Sequence, residues 1–480
     1  MPIANYVGGQ WRSATAPDVL PVTDPATGER LGEVPLSGAA DVDAAVQAAA
    51  RAFPAWRATP VVERARVLFR LKALLDAHKE ELATQLVREH GKNLAETRGE
   101  VQRGIENVEH ACGAPALMMG ETLEDVAAGI DCETVRQPLG VFAVISPYNF
   151  PVMIPLWFWP YAVVTGNTVV LKPSEQDPLT HQKVVELAEQ AGLPPGVLNV
   201  VHGGQAVVEA LIDHPDVRGV SFVGSSRVAQ LVYARAGAAG KRVQALGGAK
   251  NHMIVMPDAD PQVVQEAVTA SVFGSAGQRC LAGSLVLGVG DVYDDMRERL
   301  VEGARGIRMG YGLDDGVDMG PVISDPHRQR VRAFIGEGER EGARVLLDGR
   351  DTAVDGFPHG HWVGPTVLEG VRPDMRVGRE EIFGPVLGIN RVDSLEEGLS
   401  LLRSSSYGNA TSIFTTSGRA AREFRYHADV SMIGVNIGVA APMAFFPFGG
   451  TRGSFYGDLK AQGTDAISFF TDRRVVISRW

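Results

Sequence analysis

Apolar strand patterns alternate with amphipathic helical patterns through the middle of the chain. Continuous apolar runs at 141–145 and 168–171 predict strands that are buried on both faces, and 219–223 predicts another. Between them, residues 179–191 have the spacing of an amphipathic helix. Alternation of this kind is typical of a parallel, doubly wound sheet, so we expect an α/β fold.

The segments on either side of this region have different patterns. Helical spacing dominates residues 41–118, and a second alternating region extends from about 251 to 436. Residues 121–137 are polar and strand-like. Near the C-terminus, the apolar runs 467–470 and 475–478 are also strand-like. We expect these C-terminal strands to pair with 121–137 or with another subunit.

Length and composition narrow the class of protein. With 480 residues, 45% hydrophobic and 21% charged, the chain predicts a soluble protein with more than one domain. The formal net charge of -11 argues against a nucleic-acid partner. Prolines interrupt the most apolar stretch, 150–171, so no membrane helix is expected. Three cysteines and no targeting pattern over residues 1–11 favour a reducing cytoplasm.

One cysteine lies in a loop suited to chemistry. The run from Phe273 to Cys280 contains two glycines and several small residues, which leave room for a substrate beside the sulfur. The adjacent Arg279 favours a thiolate or holds an anionic substrate. The competing interpretation is a small buried hydrophobic residue, which is the common role of an isolated cysteine.

Three other loops follow predicted strands, at the sheet edge where such proteins bind ligands. Asn149, in Ser146-Pro147-Tyr148-Asn149-Phe150-Pro151, can donate to a developing oxyanion or serve a turn. Lys172 and Glu175 can bind ribose hydroxyls or form a solvated charged loop. Gly224-Ser225 opens a predicted helix whose free N–H groups suit a pyrophosphate, although GxGxxG is absent.

Taken together with two more motifs, these loops resemble the aldehyde dehydrogenase family along the whole chain. The added motifs are Leu246-Gly247-Gly248 and Glu380-Glu381-Ile382-Phe383-Gly384-Pro385. The resemblance implies a Rossmann-type NAD-binding domain, an α/β catalytic domain and a small β oligomerisation arm. The expected bounds are 1–120 with 138–247 for the first, 248–436 for the second, and 121–137 with 454–480 for the arm.

The family implies roles for individual residues. Cys280 occupies the position of the family's nucleophile. Asn149 and the backbone N–H of Cys280 occupy the positions of its oxyanion hole. The positions that contact NAD are Pro147, Phe150, Lys172, Glu175, Gly224, Ser225, Leu246, Glu381 and Phe383. Because Glu175 would repel a 2′-phosphate, NAD is expected rather than NADP. The family also implies a homo-oligomer, either a dimer or a tetramer, and no metal is expected.

One position departs from the hydrolytic members, which carry a water-activating glutamate before Leu-Gly-Gly. The residue there is Ala245, which cannot accept a proton. Either the enzyme releases its acyl group poorly, or the group is transferred to a thiol instead of water. An ionised thiol needs no base from the protein.

The second interpretation matches a subgroup, the CoA-acylating methylmalonate-semialdehyde dehydrogenases. The similar runs are 103–109, 113–115, 118–120, 241–252 and 445–450. Arg103 and Arg279 fall where this subgroup holds the substrate carboxylate, a group that guanidinium binds in bidentate fashion. For Arg103 the alternative is a helix-surface ion pair with Glu106 or Glu109.

The resemblance therefore implies oxidation of methylmalonate or malonate semialdehyde to propionyl-CoA or acetyl-CoA with loss of CO2. The expected partners are the semialdehyde and CoA, with no nucleic acid and no membrane. Two alternatives stay open at this point. One is an aldehyde dehydrogenase that releases a free acid, and the other is a non-catalytic protein that kept the fold.

Overall fold

Strands and helices alternate through most of the computed structural model, which describes residues 3–480. The strands are β1 Asn5–Val7, β2 Gln10–Arg12, β3 Val19–Thr23, β4 Arg30–Pro35, β5 Thr122–Ala127, β6 Ile130–Pro138, β7 Val141–Ile145, β8 Thr168–Lys172, β9 Leu198–Val200, β10 Val217–Val223, β11 Arg242–Leu246, β12 Asn251–Val255, β13 Gly283–Val289, β14 Arg344–Leu347, β15 Thr366–Glu369, β16 Val386–Val392, β17 Tyr407–Gly408, β18 Ala410–Phe414, β19 Met432–Val435, β20 Thr451–Arg452, β21 Phe455–Tyr456 and β22 Thr471–Arg479.

Helices connect most of these strands. They are α1 Ala39–Ala58, α2 Val61–Ala77, α3 Lys79–His90, α4 Leu94–Cys112, α5 Ala114–Leu117, α6 Met153–Leu156, α7 Trp159–Val164, α8 Leu179–Gln190, α9 Gln205–Asp213, α10 Ser226–Ala238, α11 Pro261–Phe273, α12 Val292–Arg305, α13 Asp325–Arg340, α14 Arg376–Arg379, α15 Leu395–Ser404, α16 Gly418–His427 and α17 Gly463–Phe469. A 3-10 turn, Gly274–Gly277, follows α11.

The first large sheet has the strand order β2-β1-β9-β8-β7-β10-β11-β21. Strands β7 to β11 are parallel, and β7 is buried along its whole length. Phe142 and Val144 pack into one hydrophobic cluster, while Val141, Ala143 and Ile145 pack into another on the opposite face. Both faces of the sheet are thus covered, as the continuous apolar runs predict. The α/β expectation is confirmed.

The side of the sheet on which successive strands are added changes between β7 and β10. From β7 the chain adds β8 and β9 on one side, and it then adds β10 and β11 on the other. In open parallel sheets such a reversal leaves a crevice at the carboxyl ends of the strands, where ligands bind. The pairs Ile145↔Lys172, Ile145↔Phe222 and Val223↔Leu246 place all four strand ends at this edge.

The second large sheet has the order β14-β15-β16-β13-β12-β18-β19 and is parallel except for β14. Only residues 247–250 separate the end of β11 from the start of β12. The carboxyl edge of the first sheet is therefore connected directly to the amino edge of the second. The loop that carries Cys280 leads into β13 at that amino edge.

A third sheet, β22-β6-β5, is antiparallel and joins the polar segment around 121–137 to a C-terminal strand. Residues 475–478 lie in β22, as predicted, and pair with β6. The strand expected at 467–470 is wrong, because 463–469 forms α17 with Ala466, Ile467 and Phe469 buried. A short apolar run does not distinguish a buried strand from one face of a helix.

The bounds expected for the C-terminal arm also change. β21 pairs with β11 of the first sheet rather than with the arm, so within 454–480 only Thr471–Arg479 joins the three-stranded sheet. The division into a cofactor domain, a catalytic domain and an oligomerisation arm stays a prediction. In residues 3–480 no helix combines the length and apolar character needed to span a bilayer.

Candidate active site

Cys280 follows a strained backbone segment. Ser275 and Ala276 have φ of 51°, and Gly277 has φ of 71°, so three consecutive residues adopt the left-handed conformation. A side chain at Gly277 would overlap the carbonyl of Gly384, and only glycine tolerates this approach. Strain of this kind concentrates at functional sites, where the surrounding structure maintains it. The loop is thus held against the segment that contains Glu381 and Phe383.

The environment of the thiol raises its pKa. The pKa of Cys280 is raised to about 12, mostly by burial and to a smaller extent by the Glu381 carboxylate. Hydrogen bonds from the N–H groups of Cys280 and Leu281, and the positive charge of Arg279, act in the opposite direction. The pKa of Glu381 is itself raised to about 7 by burial. Near neutral pH the sulfur is therefore mostly protonated until a bound group changes these interactions.

Glu381→Gln is expected to accelerate alkylation of Cys280 by iodoacetamide about two- to tenfold above pH 7, without NAD or substrate. Removal of the carboxylate removes a like charge and so lowers the thiol pKa. Since Glu381 titrates near pH 7, the acceleration should fade below that pH. Mass spectrometry of the Cys280 peptide across pH 6–10 gives the rates. Equal acceleration in the neighbouring variant Glu380→Gln would contradict this origin.

Asn149 lies in the loop after β7 and is buried. Its Nδ2 donates to the carbonyl of Gln278 at 3.1 Å, which holds the amide beside the nucleophile loop. An amide nitrogen carries two hydrogens, so one stays available for a substrate oxygen. The structure therefore brings Asn149 next to the Cys280 loop, as an oxyanion donor requires.

A buried ion pair that the sequence interpretation missed supports Asn149. Lys92 Nζ lies 2.6 Å from Glu100 Oε2, donates to the carbonyl of Asn149 at 2.5 Å, and sits 4.1 Å from the Phe150 ring centroid. Glu100 Oε1 accepts the N–H groups of Val152 and Met153. The pair thus fixes the loop from both ends. Its sequence signal is weak, since charged residues are usually exposed and these two are not.

A cavity of about 470 Å³ opens beside Cys280, and Phe150, Arg103 and Arg279 also line it. Arg279 is paired with Glu96 at 2.8 Å, and the same Glu96 oxygen accepts the N–H of Ser275. Arg103 instead donates to the carbonyl of Pro442. Within residues 3–480, Arg103 has no acidic side chain at ion-pair distance. The surface ion pair with Glu106 or Glu109 is therefore wrong, and a cationic group faces the cavity.

The cofactor candidates cluster at the carboxyl edge of the first sheet. Lys172 is buried at the end of β8 and pairs with Glu175 at 2.6 Å. Gly224 follows the end of β10, and Ser225 is the N-cap of α10 without a side-chain cap bond. The first-turn N–H groups of α10 are thus available for a phosphate. Pro147 and Phe150 lie in the loop after β7, and Leu246 ends β11.

Glu381 and Phe383 reach this edge from the second half of the chain. Glu381 Oε1 accepts the N–H of Ala249 at 2.9 Å, and a side chain at Gly248 would overlap Glu381 Oε2. Phe383 has φ of 62° and its carbonyl lies 2.7 Å from His327 Nε2. Arg330 donates to the carbonyls of Glu381 and Ile382. His327 and Arg330, which the sequence interpretation missed, hold the Glu381 segment in place.

Ala245 and Leu246 are the last two residues of β11. Ala245 packs with the hydrophobic cluster on the α10 face of the sheet, whereas Cys280 packs against the cluster on the other face. Leu246 belongs to the cluster that Cys280 contacts. Consecutive strand residues point to opposite faces of a sheet. The assignment of Ala245 to the position of the water-activating glutamate stays a prediction. Neither residue can activate water, so the absence of a base does not depend on the assignment.

No group of three or more histidine, cysteine, aspartate or glutamate side chains in residues 3–480 is arranged to hold a metal ion. The cysteines of that range are all free thiols. The chemistry available at the site is therefore that of a thiol, a buried amide donor, two guanidinium groups and a buried carboxylate.

The whole chain is similar to known proteins. A model of the aldehyde dehydrogenase family matches residues 11–476. Malonate-semialdehyde dehydrogenase 1 of Geobacillus kaustophilus is 52% identical over 478 residues, which cover 100% of this chain and 98% of that protein. The crystal structure of methylmalonate-semialdehyde dehydrogenase from Oceanimonas doudoroffii superposes with a TM-score of 0.98 at 44% identity, over 100% of this chain and 98% of that one. A Sinorhizobium meliloti protein, assigned to the same activity and crystallised with NAD, has a TM-score of 0.98 at 42% identity with the same coverage.

Proposed function

The chain belongs to the aldehyde dehydrogenase family, and on that premise we propose that it oxidises a carboxylated semialdehyde with NAD and transfers the acyl group to CoA. The observation that carries the acyl transfer is Ala245, a residue that cannot accept a proton, at the position where the hydrolytic members have a water-activating glutamate. The names of its relatives favour malonate and methylmalonate semialdehyde as substrates.

The residues at the carboxyl edge of the first sheet fit NAD. Lys172 and Glu175 would hold the ribose hydroxyls, and the open N–H groups at the start of α10 would hold the pyrophosphate. Glu175 is about one-third exposed and would repel a 2′-phosphate, which favours NAD over NADP. Glu381 and Phe383 would bind the nicotinamide half. When bound there, NAD supplies the acceptor for the hydride that leaves the substrate carbon.

The residues beside the cavity account for the enzyme's part of the oxidation. The Cys280 thiolate attacks the aldehyde carbon, and the carbonyl oxygen becomes an oxyanion. The second hydrogen of the Asn149 amide and the Cys280 N–H stabilise that charge. Oxidation leaves an acyl group on the sulfur as a thioester. Arg103 holds the substrate carboxylate, and Arg279 adds positive charge near the sulfur.

Release of the acyl group needs a nucleophile. Neither Leu246 nor Ala245 can take a proton from water, whereas the thiol of CoA attacks the thioester once it is ionised. The acyl group carries a carboxylate beta to the thioester carbonyl. Such a group loses CO2 through a thioester enolate, which requires no metal. The products are then propionyl-CoA or acetyl-CoA, CO2 and NADH.

The decisive measurement is NADH release from malonate and methylmalonate semialdehyde with and without CoA, with mass analysis of the products. We expect CoA to accelerate turnover and an acyl-CoA to form, because deacylation lacks a base for water. Propanal with CoA serves as a control for the aldehyde chemistry alone. A free carboxylic acid as the product, at a rate that CoA leaves unchanged, would identify the chain as a hydrolytic aldehyde dehydrogenase instead.

We also propose that the chain is a homo-oligomer, a dimer or a tetramer, of the cytoplasm. The three-stranded sheet exposes apolar side chains such as Leu123, Val475, Ile477 and Trp480, all more than 60% exposed. Apolar side chains concentrated on one sheet are typical of a surface that another subunit covers. The free cysteines suit a reducing compartment. Sedimentation of the chain would give the number of subunits.

A further inference from the structure

Two buried amides converge on the carbonyl of the nucleophile. Asn251 Nδ2 donates to the Cys280 carbonyl at 2.9 Å, and Asn409 Nδ2 donates to it at 2.8 Å. Both asparagines are about 4% exposed. A carbonyl oxygen has two lone pairs, so two donors use its full capacity. Neither residue stands out in the sequence, and neither belongs to the substrate cavity or the cofactor edge described above.

The two asparagines differ in what else they do. Asn251 also donates to the carbonyl of Ala282 at 2.9 Å and accepts the N–H of Ala410 at 3.1 Å, so it ties β12 to β18 and to the loop. The Asn409 side chain makes one hydrogen bond within the described part of the chain, the one to Cys280. Substitution of Asn409 therefore tests the contact to the nucleophile with the least disturbance elsewhere.

The carbonyl that the amides hold shares a peptide group with the N–H of Leu281. A trans peptide is planar, with its C=O and N–H pointing in opposite directions, so fixing the oxygen also fixes the N–H. Hydrogen bonding from that N–H and from the N–H of Cys280 lowers the pKa of the Cys280 thiol. Hydrogen bonds at the carbonyl also polarise the peptide group and strengthen its N–H as a donor.

We propose that Asn409 is a positioning residue for the nucleophile: with Asn251, it holds the Cys280 carbonyl and so aims the Leu281 N–H at the sulfur. It touches no reacting atom and acts through the peptide group between Cys280 and Leu281. An asparagine suits the position because its amide is a neutral donor that adds no charge beside a developing thiolate. The inference deepens the proposed function by naming what stabilises the thiolate behind the oxyanion site.

The test is the rate of Cys280 alkylation by iodoacetamide at fixed pH values from 7 to 10, without aldehyde, NAD or CoA. In Asn409→Leu, loss of one donor should raise the thiol pKa and slow alkylation about three- to tenfold at each pH below that pKa. Asn390→Leu is the matched control, since Asn390 Nδ2 also donates to one carbonyl, that of Val371, at 2.6 Å. Its alkylation rate should equal that of the unaltered chain.

Asn409→Ser is a second variant in case the larger leucine prevents folding, and thermal melting identifies the folded variants. A folded Asn409 variant with the alkylation rate of the unaltered chain would overturn the proposal. Equal slowing in Asn390→Leu would overturn it as well, because the effect would then be general. The assay contains no acyl acceptor, so a failure of the CoA-dependent function would leave its result unaffected.

Discussion

Replacement of Asn149 by alanine is expected to lower kcat for every aldehyde by about 10²- to 10³-fold, the usual cost of removing one oxyanion donor. The side-chain amide of Asn149 is already fixed by its hydrogen bond to the Gln278 carbonyl, and Lys92 donates to the backbone carbonyl of Asn149. The donor thus needs little reorganisation when charge develops on the substrate oxygen, and its contribution is made mainly in the transition state. KM should change little, because the uncharged aldehyde oxygen gains less from the same bond.

Steady-state NADH formation with propanal measures this effect without involving the carboxylate site. Two controls separate catalysis from structure. Alkylation of Cys280 should proceed within a few-fold of the rate in the unaltered chain, which shows that the loop is intact. Asn149→Asp, which keeps the shape but replaces the donor by an acceptor, should be at least as impaired as the alanine variant. An Asn149→Ala variant with near-normal kcat would remove Asn149 from the oxyanion site.

The sequence interpretation succeeded where local pattern and final structure coincide. The apolar runs 141–145, 168–171 and 219–223 form β7, β8 and part of β10, and they are buried as their pattern predicts. Once the strand order is known, the loops after these strands lie at one edge. Asn149, Lys172 and Gly224 then come together through topology rather than through nearby sequence positions.

The sequence interpretation failed where packing between residues distant in sequence decides the structure. Lys92 and Glu100 are buried because they satisfy each other and a loop more than 45 residues away, a partnership that no local spacing indicates. Which face of β11 carries Ala245 and which carries Leu246 is likewise decided by packing. A one-residue difference reverses the face, so motif spacing alone does not settle it. The run 467–470 was likewise mistaken for a strand, because only packing shows that Ile467 and Phe469 belong to α17.

Arg103→Leu is expected to lower kcat/KM about 10²- to 10³-fold for malonate and methylmalonate semialdehyde, and no more than a few-fold for propanal. Arg103 faces the cavity with a single carbonyl partner and no carboxylate, so its guanidinium has donors left for a substrate carboxylate. Loss of a buried, charge-assisted contact costs about 2–5 kcal/mol, and a factor of 10²–10³, which is about 3–4 kcal/mol, falls within that range. Gln102→Leu, a change at the neighbouring cavity position, should affect both substrates alike and only slightly.

Arg279 provides the contrast that makes the Arg103 assignment specific. Its guanidinium already binds Glu96 and the Ser275 hydroxyl, and Glu96 also holds the Ser275 N–H. Removal of Arg279 should therefore loosen the strained loop before Cys280 and lower activity with both carboxylated aldehydes and propanal. If Arg279→Leu discriminated between the two substrate classes while Arg103→Leu lowered both equally, Arg279 would be the carboxylate-binding residue. Arg103 would then serve to hold the segment around Pro442 in place.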